Sequence, residues 1–145
     1  MTLPSSEMLH ASTVAIDGQA VLITGVSGSG KSDLALRLID RGAKLVSDDY
    51  TLLTRVGAVL MASSPATIKG KLEVRGIGII DCDTLDTLDS GPAALIVRID
   101  EVPLRMPEDD VQNIIGVAIP VVALAPFEAS APIKVELALR RLAAR

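Results

Sequence analysis

The stretch that decides the fold is an eight-residue segment, Gly25-Val26-Ser27-Gly28-Ser29-Gly30-Lys31-Ser32. It matches G-x-x-x-x-G-K-[ST], the pattern of a phosphate-binding loop (P-loop), at every specified position. An apolar run at Ala20–Thr24 predicts a strand before it, and apolar residues at helical spacing between Lys31 and Arg41 predict a helix after it. A strand, a glycine-rich turn and a helix in this order favour nucleotide binding over a turn without chemical meaning.

Each residue type in this P-loop segment (residues 25–32) has a physical part in holding phosphate. The glycines let the backbone curl so that successive N–H groups point at phosphate oxygens. The start of the following helix adds the positive end of its dipole. Lys31 can reach the terminal phosphates as a point charge, and the Ser32 hydroxyl is placed to ligate Mg²⁺. The sequence therefore predicts a nucleoside triphosphate site.

Two further polar clusters follow the predicted helix. The strand predicted at Lys44–Val46 leads into Asp48 and Asp49, carboxylates that can hold Mg²⁺ or take a proton from an attacking hydroxyl. An Asp-rich turn or a helix cap is the alternative interpretation. Glu73 and Arg75 are one residue apart, so in extended backbone they face the same side and could serve a metal and a phosphate. An ordinary ion pair before a bulged strand explains them equally well.

The rest of the chain alternates strands with helices, which predicts one α/β domain over residues 1–145 with a P-loop nucleotide-binding fold. Two predicted hairpins indicate that its sheet is mixed. The predicted hairpins are Val14–Ile16 with Ala20–Thr24 and Tyr50–Arg55 with Val59–Ala62. The other predicted strands are Ile77–Ile80, Ala94–Ile99 and Val121–Leu124. The other predicted helices are a short one in the ambiguous stretch Pro65–Arg75, one at Glu108–Ile115 and one at Ile133–Ala144.

Composition excludes several classes of protein. Among 145 residues, 49% are apolar, which excludes a disordered chain. Tyr50 and Phe127 are the only aromatic residues and the net charge is −4, so nucleic acid is not expected as a partner. The single cysteine, Cys82, cannot form an intramolecular disulfide, which suits a reducing compartment. Met1–Ala11 lacks a basic stretch followed by an apolar run, so we expect no secretory signal, and the longest apolar run, Ile114–Phe127, is too short to span a bilayer. We expect a cytoplasmic domain without a membrane segment.

With these clusters assembled, the chain resembles the C-terminal catalytic domain of the HPr kinase/phosphorylase family, bacterial serine kinases unrelated to eukaryotic-type protein kinases. The most specific matches are Ala20–Ser32, Gly42–Asp49 and Glu73–Asp81, the last similar to the family signature E-[IV]-R-G-[ILV]-G-I-[IL]. The resemblance runs from about His10 to Arg145. It implies the catalytic core common to HPr kinase and phosphoenolpyruvate carboxykinase, in the short single-domain form of some proteobacteria, without the usual N-terminal domain.

The resemblance also implies roles for the clusters. Residues 25–32 would hold ATP, or inorganic phosphate in the reverse reaction. Ser32 and Glu73 would be the Mg²⁺ ligands. Asp49 would be the base that takes the proton from the target serine and the acid in dephosphorylation, with Asp48 supporting it.

Three more residues are assigned to the active site by the same resemblance: His10, Arg75 and Arg105. A solvated loop arginine is the alternative for Arg105. The implied substrate is HPr or a related phosphocarrier, and the implied assembly is a homo-oligomer, a hexamer in the family. Two other functions stay open: a small-molecule kinase on the same scaffold, and a regulatory module that binds ATP without turnover.

One departure from the family concerns the late loop, Leu124–Ser130. Where longer members have arginines and glycine, this chain has an apolar and acidic sequence that includes Phe127 and Glu128. The loop around Asp86–Gly91 also lacks a basic patch. We therefore expect weak or absent phosphorylase activity, with Glu128 adding repulsion toward a second anion.

Overall fold

A computed structural model of the chain describes residues 5–81 and 84–144, so Cys82 lies outside the described residues. These residues form eleven strands, two α-helices and a short 3-10 helix at Ala66–Ile68. In chain order the elements are β1 (Ser6–Leu9), β2 (Ala11–Ile16), β3 (Gln19–Thr24), α1 (Lys31–Asp40), β4 (Lys44–Ser47), β5 (Thr51–Val56), β6 (Val59–Ser63), β7 (Leu72–Val74), β8 (Gly78–Ile80), β9 (Ser90–Arg98), β10 (Asp110–Ile114), β11 (Val117–Ala123) and α2 (Ala131–Ala143).

Nine of the strands form one mixed sheet, which confirms the predicted α/β fold class. Its main path is β1-β5-β6-β9-β3-β2-β4, while β11 pairs with both β9 and β10, and β7 and β8 form a separate hairpin. Strand β9 is the branch point of the sheet. It is parallel to β3 on one side, and on the other its first residues pair antiparallel with β6 and its last residues pair parallel with β11.

The middle of β3, Ala20–Ile23, is apolar at successive positions because both faces of this strand are buried. Along β3, Val21 and Ile23 belong to one core cluster together with α1 and α2, whereas Ala20 and Leu22 belong to a second cluster with β5, β6 and β11. Successive strand residues point to opposite faces, so this alternation assigns one cluster to each side of the sheet. The buried apolar side chains are aliphatic throughout, as the composition requires.

The two predicted hairpins, the helix after the glycine-rich loop and the terminal helix are confirmed, with bounds that differ by a few residues. Of the two other predicted helices, the one at Glu108–Ile115 is wrong, and the short one in Pro65–Arg75 is only a three-residue 3-10 helix. Pro65–Arg75 contains the 3-10 helix and then β7, in which Leu72 is fully buried in the core cluster of α1. Within Glu108–Ile115 the structure has β10, whose five residues all pair with β11. In both places a tertiary partner outweighs weak local preference.

The helices of the described ranges include none that is long and apolar enough to cross a membrane.

The core predicts a direct test of stability. Leu95 on β9 is fully buried, so Leu95→Ala should lower the free energy of unfolding by about 2–5 kcal/mol, measured by urea denaturation. Leu104→Ala is the matched control, because that side chain is 72% exposed and its loss should change the free energy of unfolding by less than about 0.5 kcal/mol. Equal effects of the two substitutions would contradict this core.

Candidate active site

The candidate site lies at one edge of the sheet, where β3 and β4 end and β2 begins. Ala11 at the start of β2 faces Thr24 at the end of β3, and the other side of β2 pairs antiparallel with β4. Because β2 runs against both neighbours, the residues around its start meet the residues that follow the other two strands. This register brings His10, the P-loop segment and the residues after β4 to one edge.

Lys31 of the P-loop segment is buried and bonds to the loop itself. Its Nζ donates to the carbonyl oxygens of Gly25 at 2.9 Å and Val26 at 3.1 Å. The N–H of Val26 donates in turn to Asp100 Oδ2 at 3.2 Å, from the residue that follows β9 by two positions. These contacts hold the lysine side chain and the loop backbone together at the N-terminal end of α1.

The backbone of the same loop fits a bound phosphate. Gly28 and Gly30 have φ of +80° and +105°, in the left-handed region that favours glycine. A Cβ at Gly28 would meet nothing within 4 Å, so the space beside the backbone is open. Within residues 5–81 and 84–144, the buried hydroxyl of Ser29 has no hydrogen-bond partner. Open space beside a curled backbone and an unsatisfied hydroxyl suit an anion.

Asp48 is a buried carboxylate that joins four segments of the chain. Its Oδ1 accepts hydrogen bonds from the hydroxyls of Ser12 on β2 and Ser32 on α1, each at 2.7 Å. Its Oδ2 accepts from the backbone N–H of Glu73 on β7 at 3.0 Å. Asp48 therefore fixes the positions of Ser32 and Glu73, the two predicted Mg²⁺ ligands, relative to each other.

Asp49 points away from Asp48 toward His10. His10 Nε2 and Asp49 Oδ1 are 2.9 Å apart, and the imidazole also stacks on the ring of Tyr50 with centroids 5.1 Å apart. Asp49 has φ of +67°, a strained conformation that Asp and Asn tolerate better than other side chains. The Asp49 side chain is 60% exposed, so a hydroxyl arriving from outside can reach a carboxylate whose orientation is set by the histidine.

A cavity of about 650 Å³ connects these groups. It extends from the P-loop segment and the first two turns of α1 to the end of β7. Glu73 and Arg75 both line it, together with the intervening Val74, and Arg75 lies in the turn after β7 rather than in extended backbone. The other lining residues are Ser27, Gly28, Gly30, Lys31, Ser32, Asp33, Leu36, Asp49 and Phe127.

In the part of the chain that the structure describes, no three His, Cys, Asp or Glu side chains group closely enough to hold a metal ion. Ser32 and Glu73 both line the cavity. The Ser32 hydroxyl donates its hydrogen to Asp48, which leaves its oxygen lone pairs available. One hydroxyl and one carboxylate beside a phosphate loop suit Mg²⁺, which usually takes few protein ligands together with substrate phosphates.

Arg105 is not brought to this cavity. It lies between β9 and β10 in an exposed segment, and it is not among the residues that line the site. Its predicted catalytic role therefore receives no support from the geometry, in contrast to His10 and Arg75.

The late loop, Leu124–Ser130, differs from what its sequence suggested. Lys134 Nζ lies 2.8 Å from Glu128 Oε2, and this hydrogen bond and the charge attraction lower the pKa of the Glu128 carboxyl. The charge of Glu128 is thus matched by a lysine on α2, and its side chain does not line the cavity. The physical reason given for repulsion toward a second anion is therefore wrong, while the absence of arginine from this loop stands.

Two site residues escaped the sequence reasoning. Ser12 bonds to Asp48 and also accepts from the N–H of Asp49 at 3.3 Å. Its signal was the adjacent pair Ser12-Thr13 inside an otherwise apolar strand, since buried hydroxyls need partners. Asp100, whose carboxylate accepts a hydrogen bond from the N–H of Val26, comes just after the apolar strand β9. An acidic residue at the end of an apolar strand is the signal that could have identified it.

Comparison with known sequences finds a matching family model and named relatives. A family model described as the HPr Serine kinase C-terminal domain matches residues 1–90. A relative from Clostridium acetobutylicum, named HPr kinase/phosphorylase, is 49% identical over 82 residues, which cover 57% of this chain and 27% of the relative. A relative of the same name from Chloroherpeton thalassium is 48% identical over 77 residues, which cover 52% of this chain and 23% of the relative. The chain spans about a quarter of the length of these curated relatives.

Comparison with solved structures extends the likeness to the whole fold. The Hpr(Ser) kinase/phosphatase from Coxiella burnetii superposes with a TM-score of 0.83 at 30% sequence identity, covering 95% of this chain and 91% of that chain. The sequence match includes the P-loop segment, Asp48, Asp49 and the stretch Glu73–Asp81. The chain belongs to the HPr serine kinase C-terminal domain family.

Proposed function

We propose that this chain is an ATP- and Mg²⁺-dependent serine kinase that phosphorylates HPr or a closely related phosphocarrier. The observation that carries the proposal is the joint access to one cavity of the P-loop segment and Asp49, whose carboxylate His10 orients. Family membership and the relatives named HPr kinase/phosphorylase support the same conclusion.

The proposed reaction is an in-line transfer of the terminal phosphoryl group. The backbone N–H groups of residues 25–32 and the ammonium of Lys31 bind the ATP phosphates, for which Lys31 exchanges its contacts with Gly25 and Val26. Asp49 takes the proton from the serine hydroxyl as the new O–P bond forms and the bond from the terminal phosphorus to the bridging oxygen of ADP breaks. Positioning of the reacting groups and electrostatic stabilisation of the transition state supply most of the rate enhancement.

Ser32 and Glu73 are the residues that would hold Mg²⁺, which when bound neutralises charge on the ATP phosphates. Arg75 faces the same cavity and supplies a further positive charge toward a phosphate. Asp48 acts on the position of these ligands through its three hydrogen bonds.

The cellular setting belongs to the same proposal. We infer a cytoplasmic protein, where phosphocarriers of sugar uptake systems work, and a homo-oligomer, a hexamer by family resemblance. Light scattering of the purified chain tests the assembly, and a monomer at micromolar concentration would contradict it.

The direct test of function is a labelling assay. The purified chain is incubated with ATP labelled on its terminal phosphate, Mg²⁺ and HPr. Acid-stable label on HPr is expected, because serine phosphate survives acid and histidine phosphate does not. Label on a small molecule only would favour a small-molecule kinase, and ATP binding without transfer to HPr would favour a regulatory module.

Lys31→Ala should weaken binding of ATP–Mg²⁺ by roughly 10- to 150-fold, because a charge-assisted contact to phosphate is lost. Isothermal titration calorimetry measures the affinity. Lys44→Ala, which removes an exposed lysine from β4, is the matched control and should bind like the parent. Unchanged affinity of Lys31→Ala would show that residues 25–32 are not the nucleotide site.

Asp49→Asn should lower kcat by roughly 10²- to 10⁴-fold and leave the affinity for ATP nearly unchanged, as expected for loss of a positioned base. Asparagine tolerates the left-handed backbone at this position, so the fold should persist. Asp40→Asn, at an exposed position of α1, is the control. A parallel loss of nucleotide affinity would identify Asp49 as a metal ligand instead.

Reverse activity is expected to be weak, because residues 124–130 supply no arginine to hold phosphate beside phosphoserine. The assay follows conversion of serine-phosphorylated HPr and inorganic phosphate to HPr and pyrophosphate. Glu128→Gln should not raise this rate, since Glu128 does not line the cavity in which the phosphates would be held. A rate equal to the forward reaction, or a large gain in Glu128→Gln, would contradict the expectation.

A further inference from the structure

We propose that Phe127 is the surface on which the purine base of the bound nucleotide stacks, an inference that rests on the proposed function. It is the only phenylalanine in the chain and is 72% exposed. Its ring lies against the P-loop segment: a Cβ built on Gly30 would come within 3.0 Å of two ring carbons. Phe127 lines the same cavity as Lys31 and Ser32.

The loop that presents this ring is fixed on both sides of it. Arg37, on the second turn of α1, donates hydrogen bonds to the carbonyl oxygens of Pro126 and Glu128, the latter at 3.3 Å. The carbonyl of Glu128 also accepts from the N–H of Ala131 at 3.0 Å. These contacts hold the loop backbone on either side of the exposed aromatic residue before a ligand arrives, which reduces the entropy lost on binding.

Exposure argues against a purely structural role for Phe127. A ring that served only to pack on Gly30 would be buried, yet Phe127 is largely exposed and lines the cavity. Among the residues that line the cavity, Phe127 alone offers a flat apolar face, while Asp33, Glu73 and Arg75 are charged. A purine is a flat, uncharged ring system, and it must lie within reach of phosphates held by residues 25–32. Of the lining groups, Phe127 matches it best.

Phenylalanine has no hydrogen-bonding group, so it cannot read the edge of a base. Stacking on an aromatic ring tolerates any base, because each base has a π face. The ring should therefore contribute equally to the binding of ATP and GTP, and nothing to the binding of tripolyphosphate, which carries the phosphates without a base.

The first test compares these three ligands, each with Mg²⁺, by calorimetry. Phe127→Ala should weaken the binding of ATP and of GTP by a similar factor of roughly 5- to 150-fold and leave the binding of tripolyphosphate unchanged. Phe127→Tyr should bind both nucleotides with the affinity of the parent, while Phe127→Leu, which keeps an apolar contact with Gly30, should not. An equal loss for all three ligands would mean that Phe127 only shapes the loop, and no loss would exclude contact with the base; either result overturns the proposal.

The second test uses the absence of tryptophan from the sequence. Phe127→Trp creates a single tryptophan whose emission should be quenched by ATP and GTP and unchanged by tripolyphosphate. Quenching by tripolyphosphate to the same extent would overturn stacking. If the parent chain binds neither ATP nor tripolyphosphate, the proposed function itself fails. If the parent binds ATP no more tightly than tripolyphosphate, only the role of Phe127 fails.

Discussion

The Asp48 carboxylate imposes the tightest constraint on the candidate site, because it is buried and must be satisfied by fixed donors. Three donors reach it, the hydroxyls of Ser12 and Ser32 and the backbone N–H of Glu73. A buried carboxylate without such partners would cost several kcal/mol, so the fold keeps β2, α1 and β7 where these donors can meet it. The relative positions of the phosphate loop, the exposed Asp49 and the far wall of the cavity follow from this one group.

Much of the fold could be predicted because the signals were local. The glycine-rich loop, the helix that follows it and the Asp17-Gly18 hairpin each depend on neighbours in sequence. The misassigned stretches depend on distant partners. Leu72 is buried beneath α1, and β10 exists because Asp110–Ile114 pairs with β11. β1 was missed since three of its four residues are exposed and its pairing with β5 leaves no apolar pattern.

The candidate site, like the fold, could be predicted from the sequence only in part. Motif spacing identified the residues, but their contacts required the structure, because His10 and Asp49 are 39 positions apart and meet only through the register of β2 with β4. The sign of the charge at Glu128 was evident from the sequence, whereas its neutralisation by Lys134 depends on the turn into α2. In the sequence, Phe127 stood out as one of two aromatic residues and as a departure from the family pattern; its contact with Gly30 gives it a chemical meaning.

The parallel pairing of β3 with β9 also bears on how the chain acquires its site during synthesis. Ala20 is joined to Ala93, so the strand that leads into the phosphate loop lacks one neighbour until most of the chain has left the ribosome. Bringing such distant strands together is entropically slow, and an apolar strand edge is meanwhile a template for association with other chains. The nascent chain thus exposes an unpaired apolar strand edge next to the phosphate loop, and β9 closes that edge as it docks.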